Sequence, residues 1–150
     1  MSHAATMPPA RQTLLDVRNL GISFATAAGR LQATRDVSFS VARGERIGVV
    51  GESGCGKTIT GLSLLRLLPQ TITTIDGRLD FDGVDLATCT PKQLRDIRGR
   101  RIGMIFQEPM SALDPVFTVG EQIAESLRAH RNIGKREARD RAIAALNAVG

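Results

Sequence analysis

Hydrophobic and polar positions alternate in two stretches near the start of the chain. The segment from Leu14 to Phe24 predicts a strand pair, with inward positions at Leu15, Val17 and Leu20. From Val37 to Val41 the apolar residues alternate with serines, which is the period-two pattern of a half-buried strand. A tight turn is predicted to follow at residues 43–45. These stretches indicate antiparallel strands in the N-terminal part.

Two further segments are apolar almost without interruption. Residues 46–50 and 101–106 are typical of parallel strands that are covered on both faces. Strands of that kind need neighbours, and we expect later strands to complete their sheet. A chain that ends at Gly150 would leave their edges and faces uncovered, so we predict poor solubility for it.

Helices are predicted wherever apolar spacing coincides with a capping residue. Pro69 ends the first helix, Thr90 and Pro91 open the second, and Thr118 with Glu121 has the spacing of a capping box. A hairpin is predicted over residues 77–86, turning at 82–83. The predicted helices span residues 57–68, 91–98, 118–130 and 135–149, with residue 150 as the C-cap. This order of elements is α/β with a helical appendage.

Composition fits a soluble globular chain and narrows the function classes. A length of 150 residues allows one domain with a core, and two cysteines are too few for a disulfide framework. No apolar run reaches the roughly 18 residues that span a bilayer. We expect residues 1–12 to be disordered, and 13–150 to form the folded part.

The net charge of +5 does not by itself indicate nucleic-acid binding. Acidic residues interleave with the basic ones, and the chain has no Trp or Tyr for stacking on bases. A solvated surface is the favoured interpretation, and we expect no nucleic-acid partner. The alternative, binding through the arginine-rich segments 95–101 and 128–141, predicts an affinity that falls steeply with salt.

One segment matches the phosphate-binding pattern G-x-x-x-x-G-K-[ST] at every fixed position. Its glycines let successive backbone N–H groups point into one concavity, and the following helix adds its free N-terminal amides. Lys57 brings a positive charge to the β- and γ-phosphates, and the Thr58 hydroxyl can ligate Mg²⁺. The candidate phosphate-binding residues are Gly51, Glu52, Ser53, Gly54, Cys55, Gly56, Lys57, Thr58 and Ile59. The expected ligand is a purine nucleotide, ATP with Mg²⁺.

Phosphate loops serve several classes of protein, so other segments must choose among them. A GTPase needs D-x-x-G and N-K-x-D motifs. Residues 80–83 fit the first, but within the predicted hairpin turn, and the second does not occur. Gln107 closes the apolar run 101–106, where its neutral oxygen could reach Mg²⁺ or orient the attacking water.

The phosphate loop, the segment around Gln107 and the run from Phe117 to Ile123 together resemble an ABC transporter ATP-binding subunit. They are most similar to the oligopeptide and dipeptide (peptide/nickel) importers, with "FQEPMSALDPVFTVGEQI" as the most specific stretch. The resemblance runs from about Leu14 to Gly150. It implies a P-loop NTPase (RecA-like) core, an N-terminal antiparallel β subdomain and the start of a helical subdomain.

The resemblance also implies roles for particular residues. Lys57 and Gln107 are the candidate catalytic residues, Thr58 and Gln107 the candidate metal ligands, and Phe24 the residue that stacks on adenine, with core packing as its alternative. The implied partners are permease subunits, reached through exposed apolar side chains at Met110, Leu113, Val116 and Phe117, and a second ATP-binding subunit. An extracytoplasmic solute-binding protein would act indirectly, and the location would be peripheral, on the cytoplasmic face of the inner membrane.

Several parts of the family pattern are missing from the sequence. There is no L-S-G-G-Q signature and no second apolar strand ending in Asp-Glu, so the chain looks like the N-terminal part of such a domain. The residues present can hold MgATP, but they include no evident general base. The alternative function is therefore a truncated remnant or regulatory module that binds nucleotide without hydrolysing it.

Overall fold

The structure, a computed structural model, describes residues 12–106, 108 and 112–150. It divides into two units, with the boundary between Thr90 and Pro91. Residues 1–11 lie outside the described part, so disorder at the N-terminus stays a prediction. Gln12 is described, and its backbone oxygen accepts a hydrogen bond from Arg43 N–H at 3.0 Å.

The first unit is built on a four-stranded antiparallel sheet in the order β2-β1-β3-β4. The strands are β1 (Thr13–Thr26), β2 (Gly29–Ala42), β3 (Thr73–Phe81) and β4 (Val84–Asp85). The predicted strand pair over 14–24 is wrong, because β1 is a single strand of 14 residues. Its register shifts against both neighbours near Asn19, whose φ is +50°, so an irregularity replaces the expected turn.

The core of this unit lies around β1 and β3. Val17, Leu20, Ile22 and Leu79 are at most 1% exposed, and Leu86 beyond β4 is fully buried. Inward positions at 17 and 20 are therefore confirmed, whereas the side chain at position 15 is half-buried. In β2 the apolar side chains between 37 and 41 are half-buried and the serines exposed, as the alternation predicts.

Both predicted turns of this unit are present. Gly44 has a φ of +74°, and Glu45 N–H donates to Ala42 O at 3.1 Å, which closes the first turn. Asp82 and Gly83 have φ values of +52° and +79°, the geometry that favours Asp-Gly between two strands. The D-x-x-G segment is therefore a hairpin connection, as predicted.

Helix α1 (Lys57–Leu64) ends four residues before the predicted end. Arg66 takes a left-handed conformation with φ at +48°. Its N–H donates to Ser63 O at 3.0 Å, and Leu67 N–H donates to Leu62 O at 3.0 Å. These two bonds form a Schellman motif, which stops the helix before the proline is reached.

The prediction of parallel strands at 46–50 and 101–106 is wrong. In the described ranges no strand pairs with residues 46–50, and Val50 is 95% exposed. Ile102 forms one isolated bridge, with Arg98, and Ile105 is 97% exposed. A strand exists only through hydrogen bonds to a neighbour, so an apolar sequence without one stays irregular.

The second unit is helical, as the sequence predicts. It contains α2 (Pro91–Ile97), α3 (Val119–His130) and α4 (Lys135–Asn147), and α4 buries Ala138 and Ala142. The capping box is confirmed: Thr118 Oγ1 accepts from Glu121 N–H at 3.2 Å, and Glu121 Oε2 accepts from Thr118 N–H at 2.9 Å.

Helix α4 ends before the predicted residue. The C-cap of α4 is Ala148 rather than residue 150, so the helix is two residues shorter than predicted. Over residues 12–106, 108 and 112–150, none of the helices is both long enough and apolar enough to cross a membrane.

Candidate functional site

The phosphate-loop segment joins an irregular stretch to the head of α1. Gly54 and Gly56 have φ values of +82° and +91°, which glycine adopts without strain. Gly56 is the N-cap of α1 and has no side chain to cap the helix. The first hydrogen bond of the helix runs from Thr60 N–H to Gly56 O at 2.8 Å. The amides of the three preceding positions, 57–59, are therefore left to bind another acceptor.

Lys57 folds back over the loop. Its Nζ donates to Gly51 O and to Glu52 O, each at 2.6 Å, and lies 3.4 Å from Cys55 Sγ. The ammonium charge thus stands at the same end of α1 as the helix amides and the positive end of the helix dipole. No acidic residue occurs in the first turn of α1. The electrostatics of this end of the helix favour an anion.

A side chain added at either of two loop glycines would meet neighbouring atoms, and at Gly56 the backbone conformation also favours glycine. A Cβ atom on Gly51 would lie 2.6 Å from Cys55 Sγ. One on Gly56 would lie 2.5 Å from Thr34 Cγ2 and 3.0 Å from Ala33 O. Real Cβ atoms do not approach other atoms so closely, so glycine at position 56 lets the loop lie against β2, whereas a side chain at position 51 would require Cys55 to move.

Contact between the loop and β2 was missed by the sequence reasoning. Thr34 is 6% exposed and, with Ala33, covers Gly56. Neither residue belongs to a phosphate-binding pattern, and no periodicity marks either of them. The spacing could not have revealed the contact, because it joins a strand to a helix cap through tertiary packing.

Phe24 lies near the end of β1, in the same sheet. It is half-buried and stands opposite Leu31 in β2 and Thr73 in β3. Ile22, two residues earlier, stands opposite Thr34, which touches the loop. The sheet therefore carries both the aromatic side chain and the residue that seats the loop. Stacking of Phe24 on a base stays a prediction.

Of the two candidate metal ligands, only one is described. Thr58 is exposed in the first turn of α1, beside the loop amides. Gln107 lies outside the described residues, as does Met110. The part of the chain that is described contains no cluster of three His, Cys, Asp or Glu residues suited to a metal ion. The Thr58 hydroxyl fits Mg²⁺ as one ligand of several, because this ion keeps waters and takes phosphate oxygens, and a Ser or Thr at this loop position is a usual ligand.

The apolar side chains predicted to face a partner are exposed where they are described. Leu113 is 39%, Val116 80% and Phe117 57% exposed. Phe117 also lines a groove of about 840 Å³ that α3 and α4 form with the segment before α3. Exposure at these three positions is confirmed, whereas their contact with a partner stays a prediction.

Comparison with known proteins decides the family. A family model described as "ABC transporter" matches residues 34–150, which include the whole phosphate loop. The chain belongs to the ABC transporter family. This membership confirms the family inferred from the phosphate loop, the segment around Gln107 and the run from Phe117 to Ile123.

Curated relatives are named as peptide transporter components. The chain is 45% identical over 140 residues to the dipeptide transport ATP-binding protein DppD of Bacillus subtilis, covering 93% of this chain and 42% of that protein. It is 46% identical over 142 residues to a probable peptide ABC transporter ATP-binding protein of Sinorhizobium fredii, covering 94% and 42%. A putative peptide import ATP-binding protein of Brucella abortus is 48% identical, with 91% and 41% covered. The chain thus spans about two-fifths of the length of these relatives.

Solved structures agree on the fold. The dimeric structure of MJ0796, a bacterial ABC transporter cassette, superposes with a TM-score of 0.73 at 21% identity, covering 89% of this chain and 56% of that one. A post-hydrolysis state of the same cassette, bound to ADP and Pi, gives a TM-score of 0.69 at 20% identity, with the same coverage. These likenesses confirm the α/β cassette fold inferred from the sequence.

Proposed function

We propose that this protein is an ATP-binding subunit of an ABC importer and binds MgATP through residues 51–59 to energise the transport of peptides or similar solutes. One observation carries the proposal: the Lys57 ammonium and the free amides of α1 converge at a glycine-formed loop. Family membership and the names of the relatives, which are peptide and dipeptide transport proteins, support the transport role.

Binding would use groups that the loop already presents. The phosphate oxygens accept from the amides at the head of α1, and Lys57 exchanges its two carbonyl contacts, at Gly51 and Glu52, for the β- and γ-phosphates. Thr58, and Gln107 by its place in the family pattern, would hold Mg²⁺. When bound, the ion neutralises charge between the β- and γ-phosphates.

The nucleotide base would be bound by a side chain of the antiparallel sheet. Phe24 would stack on adenine, at a strand position two residues from the one that faces Thr34. Stacking on a flat ring suits any base, so this contact adds affinity rather than selectivity for adenine.

The proposed partners are permease subunits and a second ATP-binding subunit, with an extracytoplasmic solute-binding protein acting indirectly. Exposed Leu113, Val116 and Phe117 support contact with a permease, because a group of exposed apolar side chains is typical of interaction sites. Such a subunit would sit peripherally on the cytoplasmic face of the inner membrane.

The test is binding of a fluorescent ATP analogue with Mg²⁺ by the wild type and by Lys57→Ala. Removing the ammonium should weaken binding by about 2–5 kcal/mol, because the phosphates lose their charged partner in the loop. Lys92→Ala is the matched control, since that lysine is exposed in α2, outside the loop. Equal affinity of Lys57→Ala and the wild type would contradict the assignment. Steady-state ATPase activity with and without the permease then separates a transport ATPase from a module that only binds nucleotide.

A further inference from the structure

Thr34 carries an unsatisfied polar atom. Its side chain is 6% exposed, and its Oγ1 is the one buried side-chain nitrogen or oxygen atom without a hydrogen-bond partner in the part of the chain that the structure describes. Its backbone oxygen, by contrast, accepts from Gln32 Nε2 at 2.7 Å. A buried hydroxyl with no partner costs folding free energy, because it gives up its bonds to water and gains nothing.

The Thr34 side chain contacts the phosphate loop. Thr34 Cγ2 lies 2.5 Å from where a Cβ of Gly56 would stand, so the side chain abuts the N-cap of α1. The amides at 57–59, one to three residues further on, take no part in the hydrogen bonds of the helix. The unsatisfied hydroxyl therefore belongs to a side chain that contacts the N-cap through its methyl group, next to the amides expected to bind an anion.

Valine would serve this position better if packing were its only task. Valine has nearly the same shape as threonine, favours strands as strongly and has no hydroxyl to leave unpaired. The methyl group of Thr34 already supplies the contact with Gly56. In the arrangement described, the hydroxyl therefore lowers the stability of the fold and makes no hydrogen bond. A hydrogen bond formed in another state of the loop would explain its presence.

We infer that Thr34 is a positioning residue of the phosphate loop, whose hydroxyl forms a hydrogen bond with the loop backbone when nucleotide occupies the site. In the described arrangement Lys57 is bound to the carbonyls of Gly51 and Glu52. Phosphate would attract the Lys57 ammonium away from these carbonyls. The loop backbone would then be free to form a hydrogen bond with the Thr34 hydroxyl. The inference rests on the proposed nucleotide binding, and it adds a residue of β2 to the site.

The test compares Thr34→Val, which removes only the hydroxyl, with Thr34→Ser, which keeps it and removes the methyl group. Two quantities are measured for the wild type and for both variants. They are the affinity for a fluorescent ATP analogue with Mg²⁺ and the thermal unfolding midpoint without nucleotide. Thr34→Val should bind the analogue about fivefold more weakly, the usual effect of losing one hydrogen bond. Its unfolding midpoint without nucleotide should equal or exceed that of the wild type. Thr34→Ser should bind within about twofold of the wild type.

Each outcome bears on one proposal. Wild-type affinity in Thr34→Val would overturn the inference, and so would a lower unfolding midpoint in that variant, because the hydroxyl would then already be paired without nucleotide. Weaker binding in Thr34→Ser than in Thr34→Val would also overturn it, since the methyl group would then be the part that matters. Failure of the wild type to bind the analogue would instead count against the proposed function.

Discussion

The antiparallel sheet and the segment 46–50 are both rich in β-branched and aliphatic residues, yet only one of them is buried. Val17 and Leu20 in β1 are 1% and 0% exposed, whereas Val49 and Val50 are 60% and 95% exposed. β1 has neighbours on both edges, β2 and β3. Within the described residues the segment 46–50 has none.

The difference shows what hydrophobic patterning can and cannot specify. Apolar residues predict that a segment favours burial, but a strand also needs hydrogen-bonding partners. β2 follows β1 after a two-residue turn, so its partner is close in sequence. Parallel strands need a crossover and a distant partner. The antiparallel pairs form, including that of β1 with β3, which is distant in sequence, whereas the two predicted parallel strands have no neighbouring strand within the described residues.

The largest expected effect tests the buried side of this comparison. Leu79→Ala should lower the free energy of unfolding by about 2–5 kcal/mol, because it leaves a cavity opposite buried Val17 of β1. Urea unfolding measures the change. Val50→Ala is the control on the exposed side and should stay within about 0.5 kcal/mol. Equal losses in the two variants would mean that the segment 46–50 is buried after all.

A second test concerns how closely β1 and β3 are packed. A Cβ on Gly77 would meet Asn19 O and would lie 2.5 Å from Arg18 O, whereas one on Gly83 would meet nothing within 4 Å. Both glycines have positive φ, at +93° and +79°. Gly77→Ala should cost about 2–4 kcal/mol and Gly83→Ala about 1 kcal/mol, because only the first adds overlap to strain. Urea unfolding of the two variants measures both losses, and similar losses would show that the strands can separate slightly at low cost.

The smallest effect concerns the local hydrogen bonds that start α3. Thr118→Ala should cost about 1 kcal/mol at neutral pH, the usual loss for an N-cap. Hydrogen bonds from the Thr118 hydroxyl and then from its backbone N–H lower the pKa of Glu121 below its usual value. A carboxyl with a lowered pKa stabilises the folded state at any pH above the pKa that it has in the unfolded chain. This contribution is lost as the pH falls through the lowered pKa.

The pH dependence can be followed by thermal unfolding between about pH 7 and pH 3. The wild type should lose stability on the acid side, and Thr118→Ala should lose less, because the hydroxyl that lowers the pKa is gone. Glu125→Gln, one turn further along α3, serves as the control because it removes a carboxyl that does not belong to the capping box. An unchanged acid-side loss in Thr118→Ala would show that the hydroxyl does not set the pKa of Glu121.

The sequence could predict the elements that depend on neighbouring residues better than those that depend on distant ones. The Asp82–Gly83 hairpin and the Thr118 capping box were predictable, because each depends on residues that are at most a few positions apart in sequence. The end of α1 was not, since its Schellman motif uses Arg66 rather than glycine at the left-handed position. Nor was the continuous β1, where an irregularity at Asn19 replaced the expected turn.

The candidate site divides in the same way. The loop glycines and Lys57 could be predicted because a phosphate-binding pattern fixes residue types at short spacing, and their role in binding stays a prediction. Thr34 could not, because its contact with Gly56 crosses from a strand to a helix cap. Sequence spacing carries no record of a contact made by tertiary packing.

The two cysteines have a practical consequence for studying this protein. Cys55 is exposed in the phosphate loop, whereas Cys89 is buried, at 7% exposure, with its thiol 3.5 Å from Leu86 O. The folded chain thus presents a single accessible thiol, and it lies at the candidate site. A thiol-reactive dye can therefore report on occupancy of the loop without any engineered cysteine, and a second label per chain marks the loss of native structure.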